Sequence, residues 1–372
     1  MRATKHPVGY RKVTIAIAVL SCMATFVAIN NVTADVVVTD PVGFITLKAV
    51  GTNGPPAKNP FFTQIALGMS QVPDRSGIAT TNGAKKLQLN SALTEGQYNR
   101  VIETGGLTNS TYYIEITSGT YAGLLNDIVS NNTANVFTVD DLTSYVVSNQ
   151  TFKIYPQWTF GKLFGPTNSV GLAGGSGSAN ADNVEVWNPY ATPQAFAVYY
   201  YKTTTLQGTG WRSGASATIN QSNTVLYVER GILIGRRVSG TVSFPVVGAV
   251  KLGTTISPIV GGSGTRYTWA GNVYPAGIQL GQSLLYTGST NTGVAGGSSV
   301  ANADNVQIWN TNTASYTIYY FKTTTLQGTG WRSGASATIS CATSNIPAGQ
   351  PAVIVRKIPG GFDWYMPQLF TP

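Results

Sequence analysis

The sequence predicts an all-β fold, and three observations predict it. Apolar runs are short, about five to eight residues, and each is bounded by clusters of Gly, Asn, Ser and Thr. β-Branched and aromatic residues, which suit a pleated surface, dominate those runs. No stretch keeps a 3.6-residue apolar period for three turns, and "DDLTSYV" at 140–146 supports one helical turn at most. The predicted architecture is an N-terminal β-module followed by two duplicated β-lobes, as sandwiches or partly open barrels, with few or no helices.

From the N-terminus, residues 1–34 read as a signal peptide. Arg2, Lys5, Arg11 and Lys12 form a basic leader, and apolar residues run from Val13 to about Ile29. Val32 and Ala34 occupy the positions a signal peptidase reads, so cleavage is expected between Ala34 and Asp35. The apolar run falls short of the roughly 20 residues of a membrane span, and cleavage leaves no stable transmembrane segment. "VLSC", ending at Cys22, loosely resembles a lipidation site, but its leucine position is wrong and apolar residues continue beyond it.

Past the leader, 19 Lys and Arg face 14 Asp and Glu, so the net charge is +5 against +9 for the whole chain. The cations are scattered, with Lys85-Lys86, Arg236-Arg237 and Arg356-Lys357 the only notable pairs, so nucleic acid is not an expected partner. The only histidine, His6, lies in the leader, and the only later cysteine is Cys341. A Ser-His-Asp or Cys-His site is therefore excluded, as is a His/Cys zinc site. An intrachain disulfide is excluded too, and no cofactor or metal is expected.

Residues 35–157 form the predicted N-terminal β-module, with strand candidates "DVVVTD", "GFITLKAV", "YYIEIT", "SYVVS" and "FKIYP". Two repeats follow, at 158–237 and 278–357, joined by connecting strands at 238–277 and closed by a tail at 358–372. "WTFGKLFG" aligns with "IQLGQSLL", "ANADNVEVWN" with "ANADNVQIWN", and "ILIGRR" with "AVIVRK". "FPVVGAVKL" at 244–252 echoes "DPVGFITLK" at 40–48, which suggests a strand of one origin before each repeat. Two copies are too few for a solenoid, so paired lobes related by a pseudo-two-fold are expected.

The stretches "TDPVGFITL", "YYIEITSGTYAGL", "FKIYPQWTFGKLFG" and the "YYYK…WR…I…R" close of the repeat carry a resemblance. The chain resembles a family of uncharacterised exported proteins of verrucomicrobial and related bacteria, over most of its length after the leader. The resemblance implies export and a β-rich fold, and it implies no activity.

The most closely repeated segment is "YYYKTTTLQGTGWRSGASATI" at 199–219, matched at 319–339 with one change, Tyr201 to Phe321. It reads as a hairpin, with Gly208 and Gly210 supplying the positive φ angles of the loop. Alternation places Phe196, Val198 and Tyr200 on one face, expected to meet the core, and Tyr199 and Tyr201 on the other. That second face is a candidate ligand platform. It would comprise Tyr199, Tyr201, Trp211 and Arg212, repeated as Tyr319, Phe321, Trp331 and Arg332. Exposed rings stack on sugars, and two platforms would bind a polymer bivalently. The alternative is burial of both faces, usual for strands apolar on both sides.

"ANADNV" offers one carboxylate per copy, Asp182 or Asp304, too few for calcium and better suited to a turn. "GLAGGSGSAN" and "GVAGGSSVAN" lack the ending of a phosphate loop and read as β-connections. Glycoside hydrolysis can run on two carboxylates without histidine. However, the acidic residues carry no catalytic signature, Glu185 becomes Gln307, and Glu229 aligns with Gly349. The expected protein is therefore exported, to the cell surface, periplasm or medium, non-catalytic, and structural or adhesive. Polysaccharide, other envelope proteins and self-association are the expected partners. A carbohydrate-binding protein using the aromatic faces is the first alternative, and a carboxylate-dependent glycan-active enzyme the second.

Overall fold

Two five-stranded antiparallel sheets, built from the two repeats and matching strand for strand, frame the protein. A computed structural model describes residues 40–371 apart from Val146 and Gln207. The leader, Cys22, the Ala34–Asp35 junction and "DVVVTD" up to residue 39 lie outside the described residues.

Lobe 1 opens with β1 (Val42–Ala49) and β2 (Phe61–Ile65). The chain then builds β3 (Arg75–Gly83), β4 (Lys86–Leu89), β5 (Val101–Ile102), β6 (Thr108–Asn109), β7 (Tyr112–Ile116), β8 (Leu125–Asn131), β9 (Asn135–Thr138) and β10 (Thr151–Pro156). It returns to lobe 1 through β11 (Trp158–Thr159) and the short helix α1 (Phe160–Leu163). There follow β12 (Asn183–Asn188), β13 (Ala195–Lys202), β14 (Gly210–Ser213), β15 (Val225–Leu226), β16 (Ile232–Arg236) and β17 (Val242–Ala249). Lobe 2 begins with β18 (Thr255–Ile259), β19 (Arg266–Gly271), β20 (Ile278–Gln279) and a 3-10 turn at Leu280–Gln282. It ends with β21 (Asn305–Asn310), β22 (Ser315–Lys322), β23 (Gly330–Ser333), β24 (Asn345–Ile346), β25 (Pro351–Arg356) and β26 (Phe362–Met366).

The sheet of lobe 1 runs β14-β13-β12-β16-β2, and that of lobe 2 runs β23-β22-β21-β25-β19. Each lobe also has a long outer pair, β1 with β17 and β18 with β26. The counterpart of β1 is thus β18. The N–H of Val50 donates to Thr63 Oγ1 at 3.0 Å, and that of Val260 to Thr268 Oγ1 at the same distance. Gly51 and Gly261 occupy one further matched place, where a Cβ would come within 2.2 and 2.1 Å of the carbonyl oxygens of Gly240 and Gly360. The echo between "DPVGFITLK" and "FPVVGAVKL" therefore has a different meaning from the one expected. β17 is the antiparallel neighbour of β1, from far along the chain, and both alternate because both are half-covered strands.

A short link, 272–277, joins β19 to β20, whereas lobe 1 carries residues 66–157 at the same place. Most of that excursion is a closed six-stranded barrel, β10-β3-β4-β9-β8-β7. Leu87, Leu89, Ile114, Ile128, Phe152 and Ile154 alternate inward and fill it, so it is a packed core with no lumen. The described residues of "SYVVS" at 144–148 form no strand. Its Val147 is buried in that core and Tyr145 meets Tyr121 edge-on at 5.0 Å. "TVLYVE" contributes only the two-residue β15. Helix α1 was not expected; Thr159 caps it by accepting the Lys162 N–H, and Phe160 and Leu163 face the core.

The lobes join reciprocally. Ala66 N–H donates to Gly349 O at 2.8 Å, and Gly271 N–H donates to Glu229 O at 2.8 Å. Glu229 and Gly349 are the aligned pair noted in the sequence, so each lobe offers the same strand end to the same point of the other. One core cluster runs through both lobes, from Trp158 and Trp211 to Trp331 and Trp364. A smaller one lies on the opposite faces of the two sheets, where Phe62, Phe196 and Leu233 meet Trp269, Val353 and Tyr316.

Candidate functional site

The repeated hairpins come first, because the sequence singled them out. Tyr201 pairs with Trp211 and Tyr200 with Arg212 across β13–β14; Phe321 pairs with Trp331 and Tyr320 with Arg332 across β22–β23. Directly opposite residues share a face, so Arg212 and Arg332 lie on the face away from the tryptophans. The proposed four-residue platform is therefore split between two faces. Trp211 is fully buried, Trp331 is 4 % exposed, and Tyr199, Tyr201, Tyr319 and Phe321 pack against the main core. Phe160 stands 4.6 Å from Tyr199 and 5.2 Å from Trp211, and Tyr286 stacks on Phe321 at 3.5 Å. The face expected to meet the core instead meets the other lobe, through Phe196 and Tyr316. Both faces are covered, and stacking on a sugar would need rings that the core already holds.

Arg212 and Arg332 are buried as staples. Arg212 donates to the carbonyls of Trp211 (2.8 Å), Thr209 (3.1 Å), Gly208 (3.3 Å) and Ala217 (3.1 Å). Arg332 donates to Trp331, Thr329, Gly328, Gln327 and Ala337 in the same way. A guanidinium presents five donors in a fixed fork, so one side chain closes a whole loop. Lys322 adds a bond to Leu326 O at 2.6 Å. Repetition here reports a loop that must be tied from inside.

The aspartates of "ANADNV" are buried too. Asp304 accepts from the backbone N–H groups of Ala295 and Lys357 and from Arg356 Nη1 at 2.8 Å. Asp182 accepts from Ala173 and Arg237 N–H and faces Arg236 Nε at 3.4 Å. Both carboxylates are engaged in holding β16 and β25 to the preceding loops.

A cleft of about 280 Å³ opens where the barrel wall meets both lobes. Of its residues the sequence reading weighed Glu229 and did not bring the others together. β8 alternates, so Ile128 points into the barrel while Asp127 points out into the cleft. Tyr227, on the turn after β15, donates its hydroxyl to Asp127 Oδ2 at 2.8 Å, and Gln157 Nε2 donates to Oδ1 at 2.8 Å. The Arg230 guanidinium lies over the Tyr227 ring at 4.3 Å and the Tyr190 ring at 5.7 Å. Its Nε is 3.7 Å from Glu229 Oε1. Tyr190 is 58 % exposed, which leaves an aromatic surface open at the mouth.

Burial raises the Asp127 carboxyl to about 6 despite the two donors, with the Glu229 charge adding to the rise. Burial likewise raises Glu229, against the lowering effect of Arg230. Beneath the cleft Tyr113 stacks on Tyr155 at 5.1 Å, and Lys251 pairs with Glu115 at 2.5 Å. That buried layer fixes the barrel wall on which Asp127 sits.

A signal for this site was present. Tyr227, Glu229 and Arg230 align with Pro347, Gly349 and Gln350. The cleft is lined where the copies differ, and the hairpins agree where the structure needs a staple. Asp127 and Gln157 had no such signal, since the barrel has no second copy. Among the described residues no cluster of His, Cys, Asp and Glu could hold a metal ion.

The fold and cleft define a class: an all-β protein of two paired lobes, the first interrupted by a small barrel, with a polar and aromatic site at the three-way junction. No protein-family model, curated protein or solved structure matches the chain.

Proposed function

We propose that the protein is an exported, non-catalytic adhesive protein that recognises carbohydrate through the junction cleft. The observation that supports this is the combination at one mouth of an open aromatic ring, Tyr190, with the tethered polar groups of Arg230, Tyr227, Gln157 and Asp127. Sugar rings offer apolar C–H faces to aromatic rings and hydroxyls to planar donors and acceptors, which such a set matches. The polar groups are already fixed by one another, so binding orders few side chains. Export rests on the basic leader and the Ala34–Asp35 junction. Retention of the purified protein on insoluble neutral polysaccharides, with Tyr190→Ala as the comparison, tests this reading. Specific retention lost in the variant supports it, and no retention by any polysaccharide contradicts it.

A second reading is favoured by one observation: Asp127 and Glu229 share the cleft, and burial raises both carboxyls. A paired acid and base could hydrolyse a glycosidic bond. Release of reducing ends from the retained polysaccharide, abolished by both Asp127→Asn and Glu229→Gln, would establish it. Retention without release leaves the binding reading alone.

A further inference from the structure

The cleft does not end at Asp127. A second hollow of about 370 Å³ shares Asp127, Val139, Tyr227 and Arg230 with it, so the two adjoin along one groove with those residues between them. The groove passes between the β5–β6 arm of the barrel excursion and the face of lobe 1 that carries Ala197 and Tyr199. Asn223 Nδ2 donates to Glu103 Oε1 and holds that arm to lobe 1.

We infer that this groove holds a linear neutral glycan, several linked sugars long, with one end in the junction cleft and the rest running along lobe 1. The inference rests on the carbohydrate reading of the cleft and adds the length and direction of the ligand. The observation that carries it is Asn109. The residue lines the groove and is 8 % exposed, and its Nδ2, closed off from solvent, has no protein hydrogen-bond partner. A buried amide donor without a partner costs about 1–3 kcal/mol, a cost removed when the side chain turns to donate to a ligand oxygen. Around it stand Thr108, Ser110, Asn188 and Thr224, all neutral hydrogen-bonding groups. Hydroxyl-rich ligands satisfy such walls, and the charged groups present are already hydrogen-bonded within the protein: Arg100 Nε donates to Ser110 Oγ at 2.7 Å, and Asp127 is held as described. Ala197, exposed in the floor, keeps the passage open. The counterpart in lobe 2 is Thr317, and lobe 2 carries no barrel to form a second wall.

The test screens neutral glycans for binding, then titrates a length series of the best binder, from one to six sugar units, by calorimetry. The expected result is affinity rising at least tenfold between the disaccharide and the hexasaccharide. Ala197→Trp, which fills the passage, and Asn109→Ala, which removes the donor, should each cut hexasaccharide affinity several-fold. Thermal melting checks that both variants fold. Two results overturn the inference alone: short sugars that bind as tightly as long ones, or a folded Ala197→Trp that binds the hexasaccharide like the wild type. Binding of an extended acidic or apolar peptide in place of any glycan, or the absence of any glycan binder, overturns it together with the carbohydrate reading.

Discussion

Tyr227 donates its hydroxyl to Asp127 across the seam between lobe 1 and the barrel, at 2.8 Å. That bond joins a residue found in only one repeat to a residue of the inserted barrel. It makes the cleft a property of the whole assembly and of neither part alone.

Tyr227→Phe removes a donor that favours the charged form of Asp127, so the carboxyl should rise above its value of about 6. The bond also fixes Asp127 at the cleft, so ligand affinity should fall roughly tenfold, about 1.4 kcal/mol. Carbon-13 NMR titration of the aspartate carboxyls reads the shift, and a midpoint that stays put or falls contradicts the geometry.

Stability should depend on pH in a definite direction. The folded carboxyl of Asp127 titrates near 6 and an unperturbed aspartate near 3.8, so between about 4 and 6 the native state holds a proton that the unfolded state has lost. Stability from this group is therefore fully present below about pH 4 and declines as pH rises to about 6, by at most about 3 kcal/mol. The same direction follows for Glu115 and Glu229, both raised by burial. Urea unfolding of wild type and Asp127→Asn at pH 4.5 and 7 measures it, and the variant should show the smaller difference.

The buried ion pairs of the two repeats are matched in place and unequal in geometry. Arg356 Nη1 bonds Asp304 at 2.8 Å, while Arg236 Nε stands 3.4 Å from Asp182 and makes no hydrogen bond. Asp304→Asn should cost about 3–5 kcal/mol, since it strands a buried guanidinium, and Asp182→Asn should cost less. Denaturant midpoints of the two variants give the order.

Arg212→Met and Arg332→Met should each destabilise by about 3 kcal/mol, because several loop carbonyls lose one shared donor. Neither change should alter glycan affinity by more than about twofold at temperatures where the variants stay folded. A large affinity loss in a folded variant would return the hairpins to the list of binding elements.

Strand content was legible because alternation and glycine-bounded runs are local properties, as in "FKIYP" and "VEVW". The pairing of lobes was legible because 120-residue spacing recurs from Trp158 against Ile278 to Arg356 against Arg236. The barrel closure was not, because β4 and β9 are four residues long and their register is set by partners far away in sequence. Burial of both hairpin faces was readable from strands apolar on both sides, but the ring that covers Trp211 was not, since it belongs to Phe160, on a helix too short to leave a periodic signal. Identity between the copies drew attention to residues that serve packing. Divergence at Tyr227, Glu229 and Arg230 marked the site.

Hydrogen–deuterium exchange with and without a bound neutral glycan tests the central claim most directly. The account predicts slowed exchange at 125–127, 139–140, 157 and 227–230, the segments that line the cleft. Protection confined to the repeated loops at 203–210 and 323–330, with the cleft unchanged, would contradict it.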